Sequence, residues 1–189
     1  MFKSTLTREG LNIQVGPYDG PVTDQPPWLD RDERHAWMSL MAMLMSLPPA
    51  IDAQLKRDSG LNFFEYSILS QLSAPPSRRV QMSPLAQLTG GSLSRLSHAA
   101  SRLEERGLVR RHVVTDETRC TELELTDEGM TFLEAAAPGH VREARRLVID
   151  ALSREQVGQL RDIAQSITAR SSPEVAAVLR EAIIASDLL

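Results

Sequence analysis

A chain of 189 residues, 42% hydrophobic and 24% charged, is long enough for one domain with a packed core or for two small lobes sharing one. No apolar run reaches the length of about 18 residues that a membrane-spanning helix needs, and a single cysteine, Cys120, excludes an internal disulfide. The net charge of −4 argues against a nucleic-acid partner only until it is resolved by segment, because Arg78 to Arg119 holds eight arginines against four acids.

Residues 1–27 carry scattered glycines and prolines without a sustained period, and read as a flexible N-terminal arm. They lack the continuous apolar core of a secretory signal, so a cytoplasmic protein is expected. Residues 28–58 read as an N-terminal helix, with Asp30 or Asp32 as its cap. Trp37, Leu40, Met41, Leu44 and Met45 recur at helical spacing, and Pro48-Pro49 is expected to break or kink the run. "LNFFEYSILSQLS" is a further helix, stopped by Pro75 and Pro76.

From residue 61 to 125 the pattern is more specific. Ser83 and Pro84 open a short helix that ends at "TGG"; Ser92 caps a longer one, and Gly107 closes it. Short helix, tight turn and longer helix form a helix-turn-helix. "LVRRHVV" and "CTELELT" then alternate apolar and polar residues around a charged tip, the pattern of a two-stranded hairpin, with Arg79-Val80-Gln81 as a third short strand. A helix-turn-helix followed by such a ribbon is a winged helix. Thr126 with Asp127-Glu128 starts a helix expected to run to Ala151, with an interruption near Pro138. Ser153 and Gln156 make a capping box for another, ending near Ala169. Residues 126–170 are thus helical, and 171–189 form a tail with a short helix. The fold class is mainly α with a small antiparallel β wing, a winged helix-turn-helix domain joined to a helical dimerisation domain.

Projected at about 100° per residue from Leu93, the helix after Ser92 places Leu93, Leu96, Ala99, Ala100 and Leu103 on one wall. Ser94, Arg95, His98, Ser101, Arg102 and Glu105 fall on the other. The major groove of B-DNA admits one helix, Arg can bond guanine bidentately, and small Ser residues let a helix start approach phosphate. Ser92, Ser94, Arg95, His98 and Arg102 are therefore the DNA-binding candidates on this helix. At the hairpin tip, Arg119 suits a narrow minor groove with Asp116 holding it, and a solvated turn is the alternative there.

"MSPLAQLTGGSLSRLSHAASRLEERGLVRRHVVTDETRCTELELTDEG" resembles the winged-helix core of the MarR family of transcriptional regulators. The resemblance is specific over residues 82–129 and looser over 28–169. It implies a homodimer built from N- and C-terminal helices that binds double-stranded DNA at a pseudo-palindromic operator. It implies that Ser94, Arg95, His98 and Arg102 face bases and phosphates, and that Asp116 and Arg119 form the wing pair. It also implies a repressor released by a small aromatic or phenolic ligand.

For that ligand the candidate walls are His35, Trp37, Met38, Met41, Phe63 and Tyr66, with packing in a dimer core the plainer reading of any one of them. No catalytic residue, metal site or cofactor is expected. The four histidines are scattered, and no nucleophile elbow, phosphate loop or dinucleotide glycine pattern is present, so the chain is not expected to be an enzyme. The alternative function is a redox-responsive regulator acting through Cys120.

Overall fold

A computed structural model of the chain describes residues 5–7, 10–12, 28–114 and 120–186. The elements fall into two units, residues 1–43 and 44–189. In the first, two three-residue strands, β1 (Thr5–Thr7) and β2 (Gly10–Asn12), pair antiparallel with Leu6 opposite Leu11. Asp30 Oδ1 accepts the N–H groups of Asp32 and Glu33, which makes Asp30 the residue that starts α1.

Helix α1 runs from Arg31 to Ser59 without a break, with Pro48 and Pro49 inside it, where the sequence suggests a break or a kink. The two prolines cost the hydrogen bonds to the carbonyls of Leu44 and Met45. Both of those residues are exposed, so water can satisfy what the helix does not. The same reasoning covers Pro138 inside α5 (Asp127–Leu147), where the carbonyl left over belongs to exposed Glu134.

Helix α2 (Phe63–Ser73) is started by a reciprocal capping box between Asn62 and Glu65. It supplies Phe64, Tyr66, Ile68, Leu69 and Leu72 to the core. Strand β3 (Arg79–Gln81) leads into α3 (Met82–Leu88), which begins at Met82 without a side-chain cap rather than at the expected Ser83 cap. Ser92 Oγ accepts the Arg95 N–H and starts α4 (Leu93–Glu105). Gly107, at φ 73°, turns the chain out of α4 in a conformation that a side chain would strain.

Strands β4 (Val109–Val114) and β5 (Cys120–Leu125) pair antiparallel, and β3 adds on the far side of β5, giving the order β3-β5-β4. Leu123 faces Val80 and Arg111 in register, and its side chain is fully buried. Thr126 Oγ1 caps α5, and Gly129 lets that helix lie against the strand base. A Cβ at Gly129 would sit 2.0 Å from the Leu108 carbonyl oxygen. After α5 a single 3-10 turn (Ile149–Ala151) leads to α6 (Arg154–Ser171), with its capping box at Ser153 and Gln156, and to α7 (Pro173–Ser186).

One core of α2, α3, α4, the sheet and the adjoining parts of α1 and α5 thus supports α4 from beneath. Among the described residues no helix is long and apolar enough to cross a membrane.

Candidate nucleic-acid interface

Helix α4 is two-sided. Leu96, Ala99, Ala100 and Leu103 are fully buried. Leu93, assigned to the same wall from the sequence, is instead 54% exposed. It lies in the first helical turn, about 70° from the centre of the buried stripe, where the helix has not yet reached the core. Ser92, Ser94, Arg95, His98 and Arg102 are all exposed. Arg95 and Arg102 are each further fixed: the Arg95 guanidinium lies 4.1 Å from the Phe64 ring centroid, and Arg102 Nε donates to Glu65 Oε1 at 2.7 Å. Asp116 and Arg119 lie outside the described residues.

Arg111 ties the wing to α4. Arg111 Nη1 pairs with Glu104 Oε2, and Nη2 donates to the Ser97 carbonyl at 2.8 Å and to Ser101 Oγ at 3.0 Å. The Arg111 backbone N–H also donates to Glu104 Oε1. Within the sheet, Glu124 of β5 bonds Arg79 of β3 and His112 of β4, joining all three strands. Those two partners, His112 before Arg79, hold the Glu124 carboxyl below the usual carboxylate range. Arg78, the one non-glycine residue with positive φ among those described (53°), pairs with Asp127 at the start of α5.

These pairings revise the charge argument. Arg78, Arg79, Arg102 and Arg111 of the basic segment each have a carboxylate partner within the chain. The segment's charge is therefore partly structural. The signal for this was present in the sequence as acids at Glu65, Glu104, Glu124 and Asp127, but nothing in local spacing pairs them.

The same face of α4 walls a cleft of about 920 Å³. Ser92, Ser94, Arg95, His98 and Arg102 form one side; Pro48, Pro49 and Asp52 of α1 and Phe63, Phe64 and Ser67 of α2 lie across from them. The Asp52 carboxyl is held below the usual carboxylate range by the hydrogen bond from Lys56 and then by that from the Phe63 N–H. Of the six residues named for a ligand, Phe63 alone lines this cleft. Tyr66 is buried, its ring 4.5 Å from that of His140, and burial raises its hydroxyl pKa. His35, Trp37, Met38 and Met41 belong to the first unit, with Trp37 and Met38 more than half exposed. Cys120, on which the redox alternative rests, is half-buried in a smaller cleft beside Leu93, Ser97 and Arg111. No group of three His, Cys, Asp or Glu side chains suited to a metal ion occurs among the described residues.

A helix-turn-helix whose second helix exposes Ser, Arg and His, followed by a hairpin that pairs with β3 in a three-stranded sheet, is a winged helix of the DNA-binding class. Comparison with known proteins carries this further. Sco3205 of Streptomyces coelicolor, a MarR family regulator solved in complex with DNA, is 38% identical, with a TM-score of 0.71 over 76% of this chain and 91% of that one. AbsC, a MarR family regulator of the same organism, is 33% identical, with a TM-score of 0.70 over 77% of this chain and 97% of that one. The transcriptional repressor MprA of Escherichia coli K12 is 27% identical over 117 residues, 62% of this chain and 66% of that protein. The chain thus spans just under two thirds of the length of this curated relative. No family model matches the chain. The chain belongs to the MarR family of transcriptional regulators.

Proposed function

We propose that this MarR family regulator is a cytoplasmic, non-enzymatic repressor that binds double-stranded DNA as a homodimer and is released by a small aromatic or phenolic ligand. The observation that carries the reading is the division of α4, with Leu96, Ala99, Ala100 and Leu103 fully buried and Ser94, Arg95, His98 and Arg102 exposed. In this reading Ser92, Ser94, Arg95, His98 and Arg102 enter the major groove, while Asp116 and Arg119 serve the adjacent minor groove. The likeness to Sco3205, solved with DNA, supports the first part; the likeness to MprA supports repression.

Exposed apolar side chains support the dimer. Trp37 and Met38 on α1 and Ile163 and Ile167 on α6 remain open to solvent in the single chain, a pattern of surfaces that associate. The helices of 28–58 and 126–170 are the parts of the chain assigned to dimerisation.

The cleft supports release by a ligand. Its aromatic floor and three basic side chains suit an aromatic molecule with an acidic group. Arg95, His98 and Arg102 cannot serve such a ligand and a DNA groove at once, so occupancy favours the DNA-free state. The test is selection of duplexes from a random pool by the full-length protein, followed by titration at increasing salt. Enrichment of inverted half-sites and a steep fall of affinity with salt are expected. Equal recovery of all sequences would refute sequence-specific regulation.

A further inference from the structure

Glu65 is one of two buried polar side chains among the described residues, at 6% exposure. It is far from α4 in sequence, yet its carboxylate serves two elements. Oε2 accepts the Asn62 N–H at 3.1 Å and completes the cap of α2. Oε1 accepts Arg102 Nε–H at 2.7 Å. The Glu65 side chain is 8% exposed and that of Arg102 is 54% exposed, so the bond joins an interior anion to a cation whose far end reaches the surface.

The geometry of a guanidinium makes this more than a tether. Its five N–H groups lie in one plane, so a bond at Nε fixes that plane and leaves the Nη groups to donate elsewhere. Arg95, His98 and Arg102 are spaced three and four apart and share one face of α4. A free arginine samples many rotamers at that face; one held at Nε presents its Nη groups in a set direction before any partner arrives.

We propose that Glu65 is a positioning residue for DNA recognition, acting through Arg102 and touching no nucleic acid itself. The inference rests on α4 being the DNA-reading helix. It makes Arg102 a residue whose contribution is set by a carboxylate on another helix.

The test is a double-mutant cycle on the full chain with Glu65→Gln and Arg102→Met. Dissociation constants are read by anisotropy over a salt series, on a fluorescein-labelled duplex that the wild type enriches from a random pool. Gln keeps an oxygen for the Asn62 N–H but withdraws the charge from Arg102. Glu65→Gln is expected to weaken binding about tenfold and to flatten the log K against log salt slope by about one. In the Arg102→Met background the same change should have no further effect. A Glu65→Gln chain that melts lower but keeps wild-type affinity and slope has lost only a structural tie, and overturns the inference. So does an effect that persists without Arg102.

Arg102→Lys covers the case in which Glu65→Gln does not fold. It keeps the charge and lacks the planar fork, so binding about tenfold weaker than wild type is expected, and wild-type affinity would overturn the proposal. Absence of DNA binding by the wild type itself would instead remove the reading beneath it, and this inference with it.

Discussion

Helices α4 and α1 solve the same problem in opposite ways. On α4, Leu96, Ala99, Ala100 and Leu103 are covered completely by the chain's own core, which frees the other side to carry chemistry. On α1, Gln54 and Leu55 near the C-terminal end are buried, while Trp37, Met38, Leu44 and Met45 are exposed. An apolar residue left in water gains nothing from folding. The difference teaches that α4 is a finished element whose exposed face is available for recognition, whereas α1 keeps apolar side chains that its own chain does not cover, as the proposed dimer requires.

The largest effect that sharpens this contrast is on stability. Leu103→Ala should cost about 2–5 kcal/mol, because it empties a fully enclosed site beneath α4. Trp37→Ala should change the unfolding free energy of the monomer by less than about 0.5 kcal/mol. It should instead raise the dimer dissociation constant, which sedimentation equilibrium measures. Equal losses of monomer stability at both positions would erase the distinction.

Next in size is Arg111→Ala. It removes a strut to Glu104, Ser97 and Ser101 and leaves the Glu104 carboxylate without its cation. A loss of about 1–3 kcal/mol in urea unfolding is expected, with faster amide exchange along Val109–Val114. Unchanged exchange there would mean that the sheet holds the wing without help from α4.

The smallest effect is with pH. His140 stacks on Phe63 and packs at a tilt against Tyr66 at the junction of α2 and α5, its Nδ1 has no hydrogen-bond partner among the described residues, and burial holds its pKa below 6.5. Below about 6.5 the unfolded chain binds a proton that the folded chain resists, so stability falls as pH drops through that value toward the folded pKa. Melting temperature should therefore decline between neutral and mildly acid pH in wild type and stay flatter in His140→Phe. Carboxylates such as Asp52 and Glu124, lowered by their hydrogen-bond partners, lose their contribution only at more acid pH, below their ordinary values of 3.8 and 4.5. The two windows are separable by titration.

How much of this was legible in the sequence follows from the range of each interaction. The caps at Ser92, Thr126 and Ser153, the turn at Gly107 and the strand alternation act within a few residues, and each is found where the spacing predicts. Pro48 and Pro49 do not break α1, because solvent replaces the two hydrogen bonds that a local reading counts as lost. The ties of Arg102 to Glu65 and of Arg78 to Asp127 cross 37 and 49 residues. No periodicity announces such pairs. The cleft is hidden in the sequence for a related reason. The aromatic and methionine residues of α1 have the composition of a pocket, whereas the cleft's walls include Pro48, Asp52, Ser67 and α4 itself, none of which carries such a signature.

The central claim is that the exposed side of α4 reads DNA while its buried side only supports it. Arg95→Ala separates the two, because its stacking on Phe64 at an exposed site contributes at most about 1 kcal/mol to folding. The direct measurement is the affinity of Arg95→Ala and wild type for the duplex the wild type enriches, taken beside their melting temperatures. The account predicts binding at least about tenfold weaker with a nearly unchanged melt. Wild-type affinity in a well-folded Arg95→Ala chain would contradict it.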